Sequence, residues 1–311
     1  MRDIPNVKGG ATSKDGGAPL LPSRHDSSAP RSGIECSNTL TLELRSPAST
    51  VPHKQNASRL TVSITSPPYA GFSRAVDANR IRPCDLCPGA IFGLELGPRP
   101  WDVQPLKCDL VHLRQGHPAV PVVLRLGEEL DVEAARVIQV AAQLHVRGVI
   151  VHGDSIRDTL CRFLTEPVDL AADVVEWLSL QRPALPPQFV ELIRKIFLHG
   201  KTKAALQNLF SDLGESTRTA RARCRKLALP PPSEWLQAAR AVRAALCLQR
   251  RPSTPLLELA MDLGYSDHSA LSHQLIRVFG APAHAIRRTL GWEWLLDSWL
   301  ARWSERAAVR S

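Results

Sequence analysis

The spacing of apolar residues changes character twice along the 311-residue chain. From Pro187 onward, apolar positions recur every three to four residues, the period of an amphipathic helix. The pattern predicts helices at about 187–199, 202–213, 216–227, 233–250, 254–263, 267–279, 282–290 and 292–305. The breaks fall at Gly200, Gly214, Pro230-Pro231-Pro232, Pro252, Gly264, Gly280 and Gly291, residues that end a helix or cannot continue one. On the last helix, Trp292, Leu295, Leu296, Trp299 and Trp303 share one face, which reads as core.

Residues 109–182 follow a different rhythm. Val120-Pro121-Val122-Val123-Leu124-Arg125-Leu126 predicts a strand, and Asp131 the N-cap of a helix reaching about Leu144. Arg147-Gly148-Val149-Ile150-Val151 predicts a second strand, with helices at 154–164 and 169–180. Strand-helix-strand-helix is the order of a parallel α/β unit with a right-handed crossover. Residues 1–108 hold 13 of the 25 prolines and only short apolar runs. Two of them, Leu40-Thr41-Leu42-Glu43-Leu44 and Leu60-Thr61-Val62-Ser63-Ile64, alternate as strands do, without a clear partner. The expected organisation is a largely disordered region at 1–108, an α/β segment at 109–182 and an all-α domain at 187–305.

Composition narrows the class. No run of about 18 apolar residues exists, so no membrane partner is expected. The first ten residues have no apolar core of a signal peptide, and seven Cys at irregular spacing suit a reducing compartment; the expected location is cytoplasmic. Cys84-Asp85-Leu86-Cys87, with Cys108 and His112 downstream, offers one pair where structural zinc takes four ligands, so free thiols and no metal are expected. Gly-x-Ser-x-Gly, phosphate-loop and His-Glu-x-x-His motifs are missing, and neither enzymatic activity nor a cofactor is expected. The net charge is +9, and residues 201–251 carry 11 Lys+Arg against 3 Asp+Glu. A block so local points to a polyanion, with nucleic acid first and an anionic membrane second.

The helical half repeats itself at an offset of 50. Leu206 matches Leu256, Leu209 matches Leu259, Asp212 matches Asp262, Leu213 matches Leu263, Gly214 matches Gly264 and Ser216 matches Ser266. Each copy reads as a helix, Leu-Gly-x-Ser, and a second helix, which is the helix-turn-helix unit. In the first copy, Ala220, Cys224 and Leu227 form the inward stripe of the second helix. Thr217 stands at its start, and Arg218, Arg221 and Arg225 line its outward side with no acidic residue in the helix to neutralise them. A ridge of guanidinium groups suits a major groove, where Arg pairs with guanine O6 and N7. In the second copy the inward stripe is Leu271, Leu275 and Phe279, so the register slips by one. His268, Ser269, Ser272 and His273 face outward, and Arg277, Arg287 and Arg288 stand where phosphate contacts would fall. His268 and His273 are five apart, off the spacing of a helical metal pair.

The run Leu256-Leu257-Glu258-Leu259-Ala260-Met261-Asp262-Leu263-Gly264-Tyr265-Ser266-Asp267-His268-Ser269-Ala270-Leu271, closing on Arg277-Val278-Phe279-Gly280-Ala281-Pro282, resembles the signature of AraC/XylS-type transcriptional regulators. The similarity covers about residues 187–290. It implies two helix-turn-helix units joined by a long helix, double-stranded promoter or operator DNA as partner, and Arg218, Arg221, His268, Ser269 and His273 as base-facing residues. RNA polymerase and a second copy of the chain are further candidate partners. Cys224 and Leu275 stand where the family often has Phe, and His273 where it often has Arg. The linking helix, about 18 residues, spans about 27 Å, near the roughly 34 Å between successive grooves on one face of DNA. The α/β segment is similar to the last part of a response-regulator receiver domain. It lacks that domain's Lys-Pro, having Thr165-Glu166-Pro167 there, and no acidic cluster flanks Asp109. Phosphotransfer is therefore not expected, and the segment reads either as a pseudo-receiver platform for a partner or dimer contact or as a packing domain with no signal. The second functional reading is a signalling adaptor whose helical half binds protein rather than DNA.

Overall fold

A computed structural model describes residues 61–308, apart from 74–75, 84–85, 97–100, 102, 128–130, 152 and 201–202. The alternating run at 40–44 therefore lies outside the described residues, as does Cys84. The second alternating run forms β1 (Thr61–Thr65), and it has partners. It pairs antiparallel with β2 (Val76–Asp77) on one side and with β3 (Ile91–Glu95) on the other, Val62 facing Leu94. Parallel strands β4 (Val122–Leu126) and β5 (Val149–Val151) extend the sheet, in the order β2-β1-β3-β4-β5. The expectation of disorder through residue 108 therefore fails from Thr61 onward. Its cause is β3, a strand interrupted by Gly93 and flanked by Pro88-Gly89 and Gly97-Pro98, composition that depletes strands.

Helices cover both faces of the parallel strands. α1 (Val103–Gly116) and α2 (Val132–Gln143) pack on the face that carries Phe92, Leu94, Val122 and Leu124. α3 (Ile156–Thr165) packs on the other, against Ile91, Val123 and Ile150. Burial on both sides explains why β4 opens on the unbroken apolar run Val122-Val123-Leu124 instead of alternating. Asp131 caps α2 as expected, accepting the Ala134 N–H at 2.8 Å. α1 bridges residue 108, so the expected boundary there falls inside a helix.

The helical half follows the apolar period closely. It comprises α4 (Leu170–Gln181), α5 (Pro187–His199), α6 (Lys203–Asp212), α7 (Thr217–Lys226), α8 (Pro232–Arg250), α9 (Leu256–Asp262), α10 (His268–Phe279), α11 (Ala283–Arg288) and α12 (Glu293–Ala308). One core joins them all, and it includes Ala171, Val174, Trp177 and Leu178 of α4. The helix assigned by sequence to the α/β segment thus contributes its apolar face to the helical half. At the centre lies α8, whose Trp235 meets Trp299 edge-on at 4.8 Å, with Phe189 and Phe197 at 6.4 and 6.5 Å.

Polar contacts tie the sheet to the helices. The buried Tyr69 hydroxyl donates to Gly89 O at 3.1 Å and accepts the Leu290 N–H at 2.7 Å. Within the helical half, Gln181 of α4 donates to Asp297 of α12 at 2.8 Å. His145 ends α2 at the left-handed position where glycine is usual, with φ of 54° and the Val146 N–H donating back to Ala141 O at 3.0 Å. Its Nδ1 lies 2.7 Å from Glu176 and 3.8 Å from Asp173, both on α4. Asp173 and Glu176 hold the imidazole charged, raising its pKa from 6.5 to about 9. Burial pushes both carboxyls up, but His145, with Arg147 on Asp173 and Arg114 on Glu176, reverses this and holds both low.

The pH dependence follows by linkage. The histidine's contribution is complete below pH 6.5 and disappears as pH climbs through about 9. The carboxylates' contribution is present near neutrality and is lost in acid. Thermal denaturation should therefore show a melting temperature that declines between about pH 7 and 10. The decline should be shallower in His145→Gln; equal slopes for the two proteins would refute the assignment.

Candidate nucleic-acid interface

Both turns of the repeat close through the same three hydrogen bonds. In the first, Leu213 N–H donates to Leu209 O at 3.1 Å, Gly214 N–H to Ser211 O at 3.0 Å and Glu215 N–H to Phe210 O at 2.9 Å. In the second, Leu263 donates to Leu259, Gly264 to Met261 and Tyr265 to Ala260, at 3.1, 3.0 and 2.9 Å. Gly214 and Gly264 have φ of 60° and 75°, which an L side chain adopts at a cost. These are Schellman closures.

The caps then diverge by one residue. Ser216 caps α7, its Oγ accepting the Thr219 N–H at 3.1 Å. Asp267, not Ser266, caps α10, accepting the Ala270 N–H at 2.8 Å. That amide holds the Asp267 carboxyl below its usual range. The extra residue accounts for the slip in the inward stripe. Ala220 and Cys224 are buried in one copy, and Leu271 and Leu275 in the other.

Thr217, Arg218, Arg221 and Arg225 are all exposed along α7. Among the described residues none of these three arginines has an ion-pair partner. The nearest acid in sequence, Glu215, is spent on Arg223, both of whose terminal nitrogens lie 3.0 Å from its oxygens. On α10, His268, Ser269 and His273 are exposed and Ser272 is half-buried. Arg277 is exposed but donates to Gln237 of α8 at 3.2 Å. Arg287 departs from the phosphate role expected of it. It donates to Pro252 O at 2.9 Å and Thr254 O at 2.5 Å, pinning the loop that enters α9.

The frame under both candidate reading helices is α8, 19 residues long and about 28 Å by helical rise. Its Arg243 donates to Gly200 O at 2.9 Å and to Phe197 O, closing the C-terminus of α5. From α12, Arg302 donates to Val278 O and closes α10. Burial pulls both guanidinium pKa values below the usual arginine range.

One feature at this surface left no motif in the sequence. A groove of about 1030 Å³ opens beside α7, between the start of α8 and the end of α12. Arg221 and Arg225 line it together with Arg182, Arg306 and Trp303. Trp303 stays half-exposed, whereas Trp292 and Trp299 of the same face are buried, so the face expected to be core ends one turn early. Cys224 lies against the groove, and burial pushes its thiol up to about 11.

A family model described as a helix-turn-helix domain matches residues 209–289, from within α6 to just past α11. No curated protein and no solved structure matches the chain. The matched stretch contains both repeated turns, α8 and both candidate reading helices. This region is a helix-turn-helix domain, a DNA-binding module of transcription regulators, consistent with the AraC-type resemblance of the signature run. The rest of the chain takes no identity from that match. Among the described residues, no helix is long and apolar enough to cross a membrane. Cys87 and Cys108 are exposed free thiols.

Proposed function

We propose that this protein is a sequence-specific transcriptional regulator that inserts α7 and α10 into successive major grooves of one duplex. The carrying observation is the ridge of Arg218, Arg221 and Arg225, exposed and, among the described residues, without an ion-pair partner, on a helix whose turn is duplicated bond for bond around α9 and α10. Arg218 and Arg221 are assigned to base edges and Arg225 to phosphate. On α10, His268, Ser269 and His273 offer hydrogen-bonding groups, with Ser272 and Arg277 of α10 and Thr217 of α7 as flanking contacts. Affinity is thus expected to come mainly from α7, with α10 adding selectivity. The sheet half serves as a platform for a second copy of the chain or for RNA polymerase. The receiver-like reading is carried only as far as its strand-helix-strand core, because β1 runs antiparallel to both of its neighbours, β2 and β3.

Gel-shift titration against genomic promoter fragments tests the reading. Binding should weaken steeply with salt, because each neutralised phosphate releases a counterion. Arg221→Ala should lose about 1–3 kcal/mol, roughly five- to 150-fold in Kd, and relax the preference at one base pair. Arg225→Ala should weaken all sequences alike and reduce the salt slope by about 1. Salt-independent binding, or a helical half that captures a protein in place of DNA, would favour the adaptor reading instead.

A further inference from the structure

The groove beside α7 combines a cationic rim with an apolar floor. Among the described residues, four arginines reach it and Glu234 is its single carboxylate. Arginine stays charged at any working pH, so the rim is permanently positive. The start of α8 also opens here, capped by Pro231 without any side-chain hydrogen bond, and it adds the positive end of a helix dipole. The floor is different in kind. Cys224 and Leu229 are almost fully buried beneath it, and the half-exposed Trp303 forms a flat wall.

A volume near 1030 Å³ suits a small molecule, and pockets that hold one are concave, largely apolar and oriented by a few polar groups. A DNA backbone makes a poorer occupant, since it meets protruding cations and gains nothing from a recessed apolar floor. The chemistry calls for a compact anion with a flat apolar body, where the ring lies against Trp303 and a guanidinium takes the carboxylate in a two-point bond.

We propose that this groove binds a small aromatic carboxylate, and that its occupancy opposes DNA binding by engaging Arg221 and Arg225. The second half rests on the DNA-binding reading above; the first half does not. Coupling of this kind is reciprocal, so DNA must weaken the carboxylate by the same factor.

Calorimetric titration of the full chain with 2-naphthoate tests the site, with 2-naphthalenemethanol as the uncharged comparison. One saturable site is expected for the acid, weakened about tenfold or more by Arg306→Gln and largely lost for the alcohol. Arg306 is exposed at the end of α12, so this variant keeps the fold. Gel shifts at saturating 2-naphthoate should then show DNA affinity reduced by about tenfold or more. Equal binding of the alcohol, or indifference to Arg306→Gln, would overturn the site, and unchanged DNA affinity would overturn the antagonism. DNA shifts without any 2-naphthoate binding would sink this inference and leave the regulator reading standing. Arg306-dependent 2-naphthoate binding by a chain that shifts no DNA would do the reverse.

Discussion

Replacing Trp235 by alanine should destabilise the protein by about 3–5 kcal/mol, the range for truncating a fully buried large aromatic. Trp235 is 0% exposed and sits where α5, α8 and α12 meet. Its removal leaves the edges of Phe189, Phe197 and Trp299 facing a void, and atoms that line a void forfeit their dispersion attraction on that side. The consequence reaches past stability. α8 is the rod from which both helix-turn-helix units hang, and this indole is one of the side chains that set its position against α5 and α12. Urea titration should show a lower midpoint with an unchanged slope. At temperatures where the variant is still folded, DNA affinity should fall as well, because the two reading helices lose their common reference. Trp235→Phe keeps most of the volume and should recover the larger part of both losses. A variant that unfolds at the native midpoint would show that α8 is not the keystone of this core.

The helical half was legible because its instructions are local. Helix period, proline at the first position of α5 and α8, left-handed Gly214, Gly264 and Gly280, and caps at Ser216 and Asp267 all act within one or two turns of chain. The elements that escaped are set by distant partners. β3 carries a mid-strand Gly93, and only its position between β1 and β4 makes it a strand. An idealised Cβ on Gly93 would lie 2.7 Å from both Arg125 and Phe72, so that glycine is demanded by tertiary packing that no local pattern contains. α4 shows an apolar stripe in sequence, but a stripe does not state which core it enters. The same limit applies to the interface. Arg218, Arg221 and Arg225 announce themselves by spacing on one helix. Arg182 and Arg306 join Arg221 only because the ends of α4 and α12 fold back to the same place. Arg287 misled for a related reason: its partners, the carbonyls of Pro252 and Thr254, lie more than thirty residues away.

Removing the Arg147 guanidinium should be about as damaging as removing the Trp235 indole, by a different route. Arg147 stands just ahead of β5, and it meets Asp173 of α4 and Glu293 at the start of α12. Its Nε and Nη2 lie 3.0 and 2.9 Å from Glu293, and its guanidinium packs 5.3 Å from the centre of the Trp292 ring. Burial works against the charge on Arg147, but Glu293 and Asp173 outweigh it and hold the group charged. Arg147→Met fills much the same space and leaves two carboxylates with little water to solvate them; Glu293 is only 3% exposed. Breaking a buried pair in this way costs about 3–5 kcal/mol. The combined variant Arg147→Met, Asp173→Asn, Glu293→Gln removes the stranded charges and should regain most of that loss, because well-packed neutral groups often replace buried ion pairs without penalty. Chemical denaturation of the single and triple variants separates charge from packing. Recovery in the triple identifies the network as electrostatic glue between the sheet and the helices. If the triple stays as unstable as the single, the loss arises from packing against Trp292 instead. The single variant should also tie back to the pH behaviour: with Arg147 gone, Asp173 relies on His145 alone for a positive neighbour, so the alkaline decline should steepen.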